Sequence, residues 1–343
     1  MSLTTMSLRI LICDDSSLAR KQMARALPDT LDAEISFAEN GRSALSLLRG
    51  NEWDLLFLDL NMPELDGYGV LEAIQQEDLP VMTVVVSADI QPQARERVTK
   101  LGALAFIRKP TDPERIADLL NDYGIYRPTD AASARLTAPL HRDEAAPSRP
   151  GFHAAIQELA NVAMGQASDL LARLLNAFVK LPVPKVDRLA RSELYMAIAA
   201  ADEKDKYSGV CQGFTGAGIA GEALLLFSDA QLKDMSALVG YGSEDETAAV
   251  EALMDLSGML FGAFINSFGE QLNLTFGLAH PTLLGQHQKI SDLLRYHRSQ
   301  PEELLCIEIR YEIEGRNVSC DLLIVLTERS LQHLEQHLHY LME

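Results

Sequence analysis

Apolar residues follow two regimes along this chain. Between residues 7 and 124, apolar runs at 8–13, 35–38, 55–58, 81–86 and 104–107 alternate with amphipathic stretches at 18–27, 43–48, 67–75, 92–101 and 113–123. Short runs of that kind suit strands buried on both faces, and the stretches between them carry helical spacing. Five such alternations predict a doubly wound α/β unit with a five-stranded parallel sheet.

The second regime begins at Phe152. Ile156, Leu159, Ala163, Ala167, Leu170, Leu174 and Phe178 recur at helical spacing and predict one long helix. A second is expected over about 247–271, with Val250, Leu253, Ser257, Leu260, Phe264 and Phe268 on its stripe. Strand-like runs lie at 223–227, 304–311 and 318–326, and Leu331, Leu334, Leu338 and Leu341 close the chain on an amphipathic helix. Long helices mixed with antiparallel-looking strands predict an α+β unit. Between the regimes, Pro128, Pro139, Pro147 and Pro150 stand among small and polar residues, as in a linker. The expected division is 7–124, linker 125–150, and 151–343.

Two segments of the second unit share their internal spacing. Glu158 and Asn161 are followed by Pro184, and Asp255 and Gly258 by Pro281, each set within or after a long helix. A pseudo-duplicated unit is expected.

Composition narrows the partners. A formal net charge of −19 argues against a nucleic-acid footprint and against anionic membrane surfaces. No apolar stretch was expected to reach the roughly 18 residues of a membrane span, and no signal peptide is visible. Cys13, Cys211, Cys306 and Cys320 lack CxxC spacing and read as buried thiols of a reducing cytoplasm. Cytoplasmic location is the expectation.

The chemistry lies where the predicted strands end. Asp14 and Asp15 follow the first run, Asp59 the third, Ser87 the fourth and Lys109 the fifth. In an open parallel sheet the carboxyl ends of the strands line one crevice. Crowded carboxylates repel unless a cation neutralises them, and hard oxygen donors suit Mg²⁺. A carboxylate there can act as nucleophile toward a phosphoryl donor. Taken singly, each residue has a plainer role: Asp15 or Ser16 as a helix cap, Asp59 in a turn, Lys109 in a loop. Together they supply complementary chemistry.

Those residues resemble the CheY-like receiver domain of two-component response regulators. The matching pieces are Ile12-Cys13-Asp14-Asp15-Ser16, Leu58-Asp59-Leu60-Asn61-Met62-Pro63 with Asp66-Gly67, Ser87-Ala88, and Phe106-Ile107-Arg108-Lys109-Pro110. The resemblance implies Asp59 as phosphoacceptor, with Asp15, Asp59 and the Asn61 carbonyl ligating Mg²⁺ and Asp14 assisting through water. It implies that Ser87 and Lys109 sense the phosphoryl group, that Phe106 is a switching aromatic, and that the Lys109–Pro110 bond is cis. A histidine kinase is the implied phosphodonor.

The Glu158-x-x-Asn161 pattern with Pro184 downstream resembles the CheC/CheX/FliY phosphatases of chemotaxis. The resemblance implies that Glu158 pairs with a receiver lysine and Asn161 orients water against an acyl phosphate, on a CheY-like partner or on this chain itself. Falling off the Leu159/Ala163 stripe, both side chains are expected to point outward. Ala154 departs from the family pattern, and Asp255 and Gly258 weaken the second copy, so one working site and one degenerate copy are expected. The competing expectation is a phosphorylation-gated binding module without enzymatic activity. Oligomeric state is left open, a homodimer included.

Two further patterns read as decoys. Gly216-Ala-Gly218-Ile-Ala-Gly221 fits a dinucleotide glycine pattern but precedes a strand-like run, where a strand bend or close backbone packing is expected. His333 and His337, four apart, read as a solvated helix face.

Overall fold

The computed structural model describes residues 7–126, 151–190, 207–228, 231, 234, 246–288, 303–316 and 318–342. The expected linker at 127–150 lies outside them. The chain divides into two compact units, Met1–Pro150 and Gly151–Glu343.

The first unit alternates β1 (Leu8–Cys13), α1 (Ser17–Ala26), β2 (Ala33–Ala38), α2 (Gly41–Gly50), β3 (Leu55–Leu58), α3 (Gly67–Gln76), β4 (Met82–Ser87), α4 (Pro92–Lys100), β5 (Ala105–Arg108) and α5 (Pro113–Asp122). The five strands form one parallel sheet in the order β2-β1-β3-β4-β5. Ile10, Ile12, Leu55, Phe57, Val84, Val86 and Ile107 pack with Met23 and Ala26 of α1 and Ile116 and Leu120 of α5. Leu11, Leu56, Leu58 and Val85, at the alternate positions, are also buried. Both faces of the sheet are therefore covered, which is why the strands read as unbroken apolar runs. Side-chain caps from Ser16, Asn40, Asp66 and Asp112 start four of the helices.

The second unit is built on an eight-stranded antiparallel sheet. It comprises α6 (Phe152–Leu175), β6 (Val179–Lys180), β7 (Lys185–Ala190), β8 (Tyr207–Gly216) and β9 (Ile219–Ser228), then α7 (Glu246–Gln271), β10 (Gly277–Leu278), β11 (Thr282–Gln288), β12 (Glu303–Ile313), β13 (Ser319–Thr327) and α8 (Glu328–Met342). A long helix followed by four strands thus occurs twice. The path β10-β8-β9-β13-β12-β6 places the two hairpins, β8–β9 and β12–β13, side by side at its centre. The short strands of each copy add to the hairpin of the other: β6 and β7 pair with β12, and β10 and β11 with β8. The internal repeat seen in the sequence corresponds to this exchange.

Helices α6 and α7 pack against each other, α6 also meets β6, β7 and β12, and α8 lies on β9, β12 and β13. Residues Val250–Gln271 of α7 form a stretch long and apolar enough to cross a membrane, contrary to the sequence expectation, and 61% of its apolar window is buried inside this unit. The glycine pattern forms the β8–β9 hairpin turn. Ala217 and Gly218 both have positive φ, 49° and 80°, the two-residue turn whose twist matches its strands. A side chain at Gly216 would meet the Thr275 carbonyl at 2.4 Å, which is the close packing expected there. His333 lies exposed against that turn, over Gly218.

Candidate functional site

The site grows from the carboxyl ends of β1 and β3, adjacent strands with their connections on opposite sides. Ser16 caps α1, accepting from the Ala19 N–H at 3.2 Å, and this leaves the Asp15 carboxylate for other work. The Asp14 carboxylate accepts the Ser16 N–H at 2.9 Å. Asp59 follows β3 and is 1% exposed; its N–H donates to the Cys13 carbonyl at 2.9 Å and its Oδ2 accepts the Asn61 N–H at 3.3 Å. Helix α3 begins hard against this segment. A Cβ on Gly67 would stand 2.3 Å from the Asp59 carbonyl oxygen, so only glycine permits that approach.

One carboxylate oxygen each from Asp14, Asp15 and Asp59 lies within 4.8 Å of the others. Lys109, just past β5, puts its ammonium 2.7 Å from Asp14 Oδ2 and 3.5 Å from Asp59 Oδ1, with all three side chains buried. The Lys109–Pro110 bond is cis, as expected from the sequence. Three carboxylates against one ammonium leave an excess of negative charge in a pocket shielded from water. Crowding of that kind is relieved by a hard divalent cation, and the oxygen donors present fit Mg²⁺. The same field acts on Cys13: burial, then the Asp14 and Asp59 charges, push its thiol well above the ordinary range.

The remaining predicted residues are placed less centrally. Ser87 ends β4, fully buried, and its Oγ accepts the Asp89 N–H at 3.1 Å; Lys109 N–H donates to the Ser87 carbonyl at 2.9 Å. Phe106 lines a different feature, an open groove of about 680 Å³ with Ile90, Arg95, Lys100, Arg108 and Arg115. Strand alternation explains this: Phe106 and Arg108 share one face of β5, opposite to Ile107.

Sequence reasoning passed over Arg20. Its Nη1 donates to the carbonyl oxygens of Asp14 at 2.5 Å and Asp15 at 3.2 Å, so a side chain from the second turn of α1 grips the backbone of the aspartate pair. The only signal was an arginine on the polar side of a helix start.

In the second unit the outward orientation expected for Glu158 and Asn161 is wrong. They are 6% and 5% exposed, and every residue from Glu158 to Gly165 is buried. Packing against α7 on one side and strands on another leaves the middle of α6 no solvated face. Asn161 Oδ1 is buried and has no hydrogen-bond partner among the described residues. Leu170 and Leu174, assigned to the buried stripe, are instead 41% and 37% exposed. The second copy is oppositely disposed: Asp255 is exposed, and a side chain built at Gly258 would meet nothing within 4 Å.

Comparison with known proteins bears on the first unit. Residues 10–121 match the family model described as the response regulator receiver domain. A response regulator receiver protein of Anaeromyxobacter sp. (strain Fw109-5) is 34% identical over 111 residues, 32% of this chain and 46% of that protein. The sensory transduction protein LytT of Bacillus subtilis (strain 168) is 35% identical over 117 residues, 34% of this chain and 48% of the relative. The chain thus spans less than half the length of these relatives. Among solved structures, Thermotoga maritima FliY is 17% identical and covers 54% of this chain and 94% of its own, with a TM-score of 0.40. On the family match and the parallel sheet that carries it, the N-terminal unit of this chain is a response regulator receiver domain.

Proposed function

We propose that this chain is a phosphorylation-controlled signalling protein of a two-component system, acting in the cytoplasm, with Asp59 as its phosphoacceptor. The observation that carries this reading is the convergence of Asp14, Asp15 and Asp59 on one buried point beside the Lys109 ammonium.

A Mg²⁺ ion held by the carboxylates of Asp14, Asp15 and Asp59 and the Asn61 carbonyl would offset charge on the phosphoryl oxygens. Asp59 Oδ attacks phosphorus in line with the leaving imidazole of a histidine kinase. The Asn61 N–H holds the second Asp59 oxygen, which fixes the attacking lone pair. The Lys109 ammonium exchanges part of its contact with Asp14 for the incoming phosphoryl oxygens, and the Ser87 hydroxyl donates to another. Little covalent work falls to the protein beyond the nucleophile itself.

For the second unit, the reading carried from the sequence is a CheC-like phosphatase that hydrolyses the acyl phosphate of a CheY-like receiver, in trans or in cis. Glu158 would pair with the receiver lysine and Asn161 would orient water. The orphaned Asn161 amide oxygen supports a group held ready for a ligand. A second reading, a phosphorylation-gated binding module, is favoured by the burial of both side chains and by Gly258 in the exposed copy. Hydrolysis requires that Glu158 and Asn161 be uncovered first.

One experiment addresses both units. A labelled phosphohistidine donor is mixed with the full chain, with and without Mg²⁺, and label transfer is followed. Transfer that needs Mg²⁺ and is lost in Asp59→Asn supports the receiver reading; label retained by Asp59→Asn contradicts it. The chain is then added to a phosphorylated single-domain receiver. Decay no faster than with Asn161→Ala overturns the phosphatase reading and leaves the binding module.

A further inference from the structure

We propose that Arg20 is a positioning residue that sets the divalent-cation affinity of the aspartate cluster, by gripping the carbonyls of Asp14 and Asp15. The inference rests on the reading of those carboxylates as a Mg²⁺ site.

The two aspartates lie past the end of β1, where ladder hydrogen bonding stops. Asp14 N–H still donates to the Ala38 carbonyl at 3.2 Å, the last link to β2. Beyond it the backbone must turn into α1 while sending two side chains toward Asp59. The Asp14 side chain is fixed by the Ser16 N–H and by Lys109. The backbone direction is fixed by Arg20: one nitrogen, Nη1, carries two hydrogens and donates to both carbonyls, 2.5 Å and 3.2 Å away. Arg20 is itself anchored in the first turn of α1, where its N–H donates to the Ser16 carbonyl at 3.0 Å. The peptide planes after Asp14 and Asp15 are therefore held from the helix, and with them the directions in which the two carboxylates leave the chain. Donors ordered beforehand spare the ion the cost of ordering them on binding.

A bystander cation would have the opposite effect. The Arg20 charge reaches this pocket, where it opposes the aspartates at the Cys13 thiol. On charge alone it repels Mg²⁺, so its removal would tighten binding. On positioning, its removal loosens binding. The two roles therefore differ in sign.

The test is calorimetric titration of the full chain with MgCl₂ at low salt, comparing the unsubstituted protein with Arg20→Gln and Arg20→Lys. Thermal melts without Mg²⁺ establish that each variant is folded. Arg20→Gln is expected to bind Mg²⁺ about tenfold or more weakly, in the range found for groups that orient metal ligands. Arg20→Lys keeps the charge on a shorter arm and is expected to bind more weakly than the unsubstituted chain; should Arg20→Gln not fold, it decides the question. Unchanged or tighter binding by Arg20→Gln, or full affinity in Arg20→Lys, overturns the inference while the metal reading stands. No Mg²⁺ binding by the unsubstituted chain overturns the metal reading and this inference together.

Discussion

The ammonium of Lys109 lies 2.7 Å from Asp14 Oδ2, and the two side chains are 4% and 7% exposed. A lysine supplied from beyond the edge strand is thus buried against a carboxylate of the central strand. Removing one member of such a pair leaves its partner charged in a dry site. Lys109→Met is expected to destabilise the first unit by about 3–5 kcal/mol. Added Mg²⁺ is expected to recover part of that loss, because it binds the folded carboxylates and not the unfolded chain. Thermal melts of the variant with and without MgCl₂ check this; equal melting temperatures in the two conditions would contradict it.

Asn161 carries a buried, unpaired acceptor in the middle of α6. A leucine of similar volume removes that burden, so Asn161→Leu is expected to be neutral or to stabilise by about 1 kcal/mol. Chemical denaturation measures it. A large loss of stability would mean that the amide is satisfied and structural.

Gly258 interrupts the long helix α7 at a position where an added side chain meets open space. Gly258→Ala is expected to stabilise by about 0.5–1 kcal/mol through helix propensity alone. Gly258→Asn is expected to fold, read by the same melts. Misfolding of either would show that the space is filled in solution.

Asp321 on β13 stands opposite Arg310, and burial raises its carboxyl above the usual range despite that neighbour. The folded state therefore holds its proton more tightly than the unfolded state. This contribution favours folding below the unfolded value of roughly 3.9 and is lost as pH rises through the raised folded value. Asp321→Asn is expected to raise the melting temperature at pH 7, with the gain vanishing in acid below that unfolded value. A gain independent of pH would assign the effect to something other than titration.

The first unit was legible because each strand is covered on both faces, so its apolar runs stand out: 55–58 was read to the residue, and 81–86 fell one short of Met82–Ser87. Its carboxylates were legible because they end strands. Arg20 was not, since a helix-surface arginine looks the same whether it meets water or two carbonyls. The second unit resisted in two ways. Tyr207–Gly216 carries three glycines and little apolar alternation, so β8 went unread, as did β7 and β11. Assigning Glu158 and Asn161 to a solvated face assumed a helix with one buried stripe. Helix α6 is enclosed all round at its middle, and it exposes Leu170 and Leu174 nearer its end. Periodicity along one helix carries no information about a second helix packed behind it.

The central claim is that Asp59 is the acceptor. It is tested most directly by incubating the full chain with acetyl phosphate and MgCl₂, then locating the phosphoryl group by peptide mass spectrometry after trapping the acyl phosphate with borohydride. The expected result is a single modified side chain, Asp59, and none in Asp59→Asn. A phosphoryl group on Asp14 or Asp15, or on any residue of the Asp59→Asn protein, would contradict the account.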